Sequence, residues 1–179
     1  MDRDLEVYGR PNLNAPPELS RFAFLIGQWR CEARLKTEGA SWERLVATWV
    51  GRYELDGYVI MDEFRMMRLT GELLVLGVNV RTYDTKKGAW ILKWLNALAG
   101  TWLDLGPEEL GGVEIDGQSI SYVFKEPVGA HALTRATYLD ISANHFTWRG
   151  ERSNDETAWE EFLVLEAHRA HRPYADFTE

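Results

Sequence analysis

At 179 residues, 45% of them hydrophobic, the chain has the size and composition of one globular domain rather than a disordered segment. A formal net charge of -8 without any run of basic residues lacks the cationic footprint that nucleic acid and anionic membranes require. Cys31 is the single cysteine, the opening Met1-Asp2-Arg3-Asp4-Leu5-Glu6 has no apolar leader, and no apolar run nears the ~20 residues of a membrane span; the expectation is a cytoplasmic protein without disulfides.

Residues 1–17 read as a flexible arm, polar and interrupted by Pro11, Pro16 and Pro17. From Pro17 to Ile26 the pattern becomes that of a short helix. Proline suits its first turn, Glu18 suits its positive end, and Leu19, Phe22, Phe24, Leu25 and Ile26 give it enough apolar surface to plug one end of a larger structure. Gly27 can end it.

After Gly27 the period changes to two. The alternation predicts strands at 29–36, 42–53, 59–67, 74–83, 89–96, 101–105, 113–115, 119–125, 133–141, 145–153 and 158–167. Turn formers separate them, and Asp-Gly at 56–57 and 116–117 is the strongest short hairpin signal. About ten short strands without crossover helices imply an all-β fold: a closed or nearly closed antiparallel up-and-down barrel, since closure removes exposed edges. One domain over 18–167 accommodates this, followed by a polar tail at 168–179. Cys31 then sits in a strand, either as a plain wall residue or as a reactive thiol.

Hairpin turns fix register, and register fixes faces. A two-residue turn at Asp56-Gly57 pairs Leu55 with Tyr58, Tyr53 with Ile60, Gly51 with Asp62, Trp49 with Phe64 and Ala47 with Met66, all on one mostly apolar face. The opposite face pairs Glu54 with Val59, Arg52 with Met61, Val50 with Glu63 and Thr48 with Arg65, which suits solvent. Asp62 is therefore a carboxylate on an aromatic inner wall, where it needs hydrogen-bond partners or must stay protonated. A turn at 85–88 sets Tyr83 against Trp90, Arg81 against Leu92 and Asn79 against Trp94. Three rings favour that face as interior, with Val78, Val80 and Ile91 as the alternative core.

Further along, Ile120, Tyr122 and Phe124 point inward. A turn at 142–144 sets Tyr138 against Trp148 and Asp140 against Phe146. A turn at 154–156 sets Trp148 against Phe162, Gly150 against Glu160 and Arg152 against Ala158. The result is a cavity walled by Trp49, Tyr53, Phe64, Trp94, Tyr122, Tyr138, Trp148 and Phe162. Asp62, Asn79, Arg81, Arg152 and Glu160 are the polar groups that enter it, the composition of a small-molecule site.

Phosphate-binding glycine loops, a serine elbow, H-E-x-x-H and cysteine pairs are all missing. His168 and His171 stand three apart but have no third ligand nearby, His145 points outward and His131 lies in a loop, so no metal centre is expected. Asp62 and Glu160 are the candidate acid–base catalysts if burial shifts their pKa values; structural pairing with arginine is the competing reading.

The run Phe24-Leu25-Ile26-Gly27-Gln28-Trp29, a short helix and then Gly-x-Trp entering the first strand, resembles the opening of calycin-type barrels. Gly57-Tyr58, Tyr83-Asp84 and Trp148…Ser153-Asn154-Asp155…Trp159 are similar to uncharacterised bacterial lipocalin-like domains and, more distantly, to nitrobindin and fatty-acid-binding-type barrels. This resemblance spans about Leu19 to Ala167. It implies carriers of fatty acids, retinoids or pigments, a haem-binding branch and a few barrel enzymes with apolar substrates. Haem would require an inward histidine, for which His168 is the candidate.

The expectation is a barrel that binds a small, largely hydrophobic or aromatic molecule without a cofactor. Two alternatives remain: a cofactor-free isomerase, cyclase or hydratase using the same cavity, or a barrel packed with its own rings that serves only as an interaction module, as in a homodimer.

Overall fold

The computed structural model describes residues 7–125 and 133–170. A 3-10 helix spans Pro17–Leu25, and eleven strands follow. They are β1 (Gly27–Lys36), β2 (Trp42–Glu54), β3 (Val59–Arg68), β4 (Leu73–Asp84), β5 (Ala89–Asn96), β6 (Thr101–Leu105), β7 (Val113–Asp116), β8 (Ser119–Phe124), β9 (Leu133–Leu139), β10 (His145–Ser153) and β11 (Glu160–Arg169). No described helix is long and apolar enough to cross a membrane.

All strands belong to one antiparallel sheet in the order β6-β5-β4-β3-β2-β1-β11-β10-β9-β8-β7. Because every neighbouring pair is antiparallel, β6 and β7 both run opposite to β1 and therefore in the same direction. They act as two pieces of one strand broken at residues 106–112, β6 pairing with β5 and β7 with β8. The sheet thus curls strongly into a half-barrel, and its two ends approach at Gly106, whose N–H donates to Val123 O at 3.1 Å.

Alternation decides the walls. In β1, Gly27, Trp29, Cys31 and Ala33 are buried while Arg30, Glu32 and Arg34 are exposed. Cys31 is a core residue, and burial pushes its thiol up to about 12. On β4 and β5 the ring-bearing face is the interior: Asn79, Arg81 and Leu92 are buried, whereas Ile91 is exposed.

The N-terminal helix plugs one end. Leu19, Phe22 and Leu25 recur every third residue, which brings them onto one stripe of a 3-10 helix, and all three are buried. Gly51 makes the close approach possible: a Cβ there would lie 2.2 Å from Leu25 O. The room left by this glycine is therefore taken by the helix carbonyl. Arg169 locks the seal, donating from Nη1 to Ile26 O (2.7 Å) and from Nη2 to Phe24 O (3.2 Å) while stacking on Trp29. Strand β11 accordingly runs past Ala167, where the sequence pattern ended it.

Registers of β2–β3, β4–β5 and β9–β10 match the expectation, including Trp49↔Phe64, Gly51↔Asp62, Asn79↔Trp94 and Tyr138↔Trp148. The β2–β3 turn itself differs. Its flanking pair is Glu54↔Val59, and Leu55, Asp56 and Gly57 all have positive φ. The N-terminal stretch supports this strained loop: Asn12 bonds Gly57 O through its backbone N–H and Asp56 O through its side chain. Four loop residues preserve the register of two because the parity is unchanged.

The β10–β11 register is a correction. Trp148 pairs with Leu165, Gly150 with Leu163 and Arg152 with Glu160, with a bulge between Gly150 and Glu151. The connection is longer than a three-residue turn because Asp155 accepts the backbone N–H groups of Thr157 and Ala158, and Trp159 folds back onto Glu156 O. Pairing therefore starts at Glu160.

Candidate functional site: an aromatic cavity above a buried ion pair

At the plugged end the interior is solid. Asp62 from β3 and Arg81 from β4 are each about 1% exposed and form an ion pair. The Asp62 carboxylate also accepts the Trp49 indole N–H and, at 2.8 Å, the Asn79 Nδ2. Arg81 donates from Nη2 to the Tyr138 phenol at 3.0 Å, and its guanidinium carbon lies 5.2 Å from the centre of the Phe22 ring. Burial pushes the Tyr138 phenol well above its usual range, Tyr122 adds to the effect, and Arg81 opposes it. The bonds to Asp62 and from Arg81 Nη2 offset part of the cost of burying two opposite charges, while Arg81 Nε has no hydrogen-bond partner among the described residues. The network is a structural floor.

Beyond that floor the interior is hollow. A cavity of about 570 Å³ extends from Trp49 and Asn79 toward the opposite end of the sheet. Trp49, Phe64, Asn79, Trp94 and Tyr122 line it, as do Tyr138, Trp148, Arg152 and Phe162. Four expected members, Asp62, Arg81, Tyr53 and Glu160, do not. Asp62 and Arg81 lie behind the wall, and Tyr53 packs against the core near Gly9.

Glu160 is also corrected. Its side chain is 65% exposed and ion-paired with Lys36 at the outer rim, a consequence of the shifted β10–β11 register. Neither candidate acid reaches the cavity.

Two glycines keep the space open. A Cβ on Gly77 would lie 2.3 Å from the Trp94 ring, and one on Gly150 would lie 2.8 Å from Trp148 and 2.9 Å from Phe162. Mid-strand glycine gives these rings a bare stretch of backbone to lie back against, so they border the cavity without filling it. The sequence reading missed Met66, Val75, Leu103, Leu105, Leu163 and Leu165, together with Ala99, Asn96, Thr101 and, as a cavity residue, Phe124. Mid-strand glycines within two residues of an aromatic position on the same or a paired strand were the unused signal.

Arg152 is the charged residue of the lining and sits at the open end. It is level with Thr134 and Glu160, and its guanidinium stacks 3.8 Å from the centre of the Phe162 ring. No acidic side chain lines the cavity among the described residues.

His145 and His168 lie together on the outer face, rings 5.0 Å apart, with His145 bonded to Glu166. Neither lines the cavity. The described residues therefore do not fit a haem held by histidine; His131 and His171 lie outside them. No cluster suited to a metal ion occurs among the described residues.

No protein-family model and no curated protein matches the chain. Solved structures do. Rv2717c from M. tuberculosis superposes with a TM-score of 0.63 at 12% identity, covering 88% of this chain and all (100%) of that one. The S-type phycobiliprotein lyase CPES from Guillardia theta gives 0.55 at 10% identity over 88% of this chain and 94% of its own. These similarities establish a shared antiparallel β-barrel fold.

Proposed function

We propose that the chain binds one small, largely hydrophobic or aromatic molecule inside the barrel. The observation that carries this reading is the cavity itself: about 570 Å³ bordered by indole, phenyl and aliphatic surface, within the range of small-molecule sites. Asn79, Asn96, Thr101 and Arg152 supply sparse polar contacts along it. The phycobiliprotein lyase among the structural neighbours supports a small-molecule role for a barrel of this kind.

Titration with 8-anilinonaphthalene-1-sulfonate tests the proposal, because its aromatic rings suit the wall and its sulfonate suits Arg152. The expected result is saturable one-to-one binding that Leu103→Trp, which fills the cavity from β6, removes. Binding that is unsaturable, or equal in the filled variant, would place the dye elsewhere and reject the reading.

A further inference from the structure

Two nitrogen donors at the inner end of the cavity are committed to the floor beneath it. The Trp49 indole and the Asn79 Nδ2 both donate to Asp62, and Arg81 is shared between Asp62 and Tyr138. A carboxylate only accepts, so the bond to Asp62 fixes which end of the Asn79 amide faces the floor. The other end, Oδ1, has no partner among the described residues, while the side chain is 93% buried and belongs to the cavity lining. Oδ1 is not one of the sealed, partnerless polar atoms of the interior and stays accessible to water, so a ligand that displaces that water without donating a hydrogen bond loses the interaction. Asn79 is also placed far from the open end marked by Arg152, since its neighbour Asp62 pairs with Gly51, which meets the plugging helix.

From this arrangement we infer that the barrel is specific for a ligand carrying an N–H or O–H donor on its buried end, received by Asn79 Oδ1. Resting on the proposed binding function, this narrows the ligand class to aromatic or polycyclic alcohols and amines. It disfavours molecules that enter with a plain hydrocarbon end or a carboxylate, because a hydrocarbon leaves Oδ1 unpaired and an anion meets an acceptor. Asp62 is here a positioning residue: it holds the amide in the orientation that exposes the oxygen.

A matched pair of probes reads this out by isothermal titration calorimetry. 2-Naphthol and 2-methoxynaphthalene share their rings and an acceptor oxygen, but the second has lost the donor. The unmodified protein should bind 2-naphthol about tenfold more tightly, the ratio of one hydrogen bond of roughly 1.4 kcal/mol. Asn79→Leu should bring the two affinities together while retaining 2-methoxynaphthalene. Equal affinities in the unmodified protein, or a preference for the methoxy compound, would overturn the inference and leave the binding function standing. Failure to bind either probe would overturn both. The comparison in the unmodified chain keeps the test decisive even if Asn79→Leu folds poorly.

Discussion

The plugged and open halves of this barrel are built from the same materials and end up opposite in character. Near the N-terminal helix, Phe22, Phe24, Trp49, Tyr138 and Phe146 pack edge to face, and Asp62, Arg81, Asn79 and Tyr138 bond to one another among them. Toward the mouth, Trp94, Trp148 and Phe162 are equally large but lie back over Gly77 and Gly150. Aromatic content alone therefore does not distinguish a core from a binding site. What distinguishes them here is that the rings bordering the cavity lie against bare backbone at Gly77 and Gly150.

The comparison is broken most severely at the floor. Arg81→Met leaves the Asp62 charge buried without its counter-ion and should cost about 3–5 kcal/mol in urea unfolding. Adding Asp62→Asn should recover most of that loss, because the charge is then gone and the amide oxygen still accepts a bond. A single variant as stable as the parent would show that the pair is not the floor described.

On the hollow side the expected effect is on binding more than on folding. Gly150→Ala pushes Trp148 and Phe162 toward the cavity. It should weaken 8-anilinonaphthalene-1-sulfonate about tenfold while costing about 1–3 kcal/mol of stability. Unchanged affinity in a titration would mean that the glycine does not hold the space open.

A smaller effect comes from Cys31 in the solid wall. Between its ordinary value of 9.0 and about 12, the unfolded chain releases the thiol proton while the folded chain keeps it. The unfolded state then binds fewer protons, so stability falls as pH rises through this window and is unaffected below it. Unfolding midpoints from pH 8 to 11 should decline more steeply in the parent than in Cys31→Ala. Parallel declines would contradict the burial of this thiol.

The smallest change is expected at the rim. Glu160→Gln removes an exposed ion pair with Lys36 and should alter stability by less than about 1 kcal/mol, with dye affinity unchanged. A large loss of binding would return Glu160 to the site.

The sequence made the β2–β3 hairpin legible because alternation and turn parity agree there, even though the turn is built differently. It did not reveal the β10–β11 register, because Asp155 organises a longer connection by accepting two backbone N–H groups, a local choice that alternation does not encode. Asp62 and Arg81 were recognisable as polar residues on an apolar face. Their pairing stood there as one of two readings, because sequence alternation assigns a face and does not decide whether two side chains on it meet each other or a ligand. Much of the aromatic wall could be foreseen from hairpin arithmetic. The aliphatic part contributed by β6 and β11 could not, since the first is short and the second had slipped in register.

Crystals of the protein pressurised with xenon would test the hollow half most directly, since xenon enters apolar cavities regardless of ligand chemistry. Xenon density bordered by Trp94, Trp148 and Phe162 is the expected result. An interior in which those rings have collapsed together, leaving no site for the gas, would contradict the account.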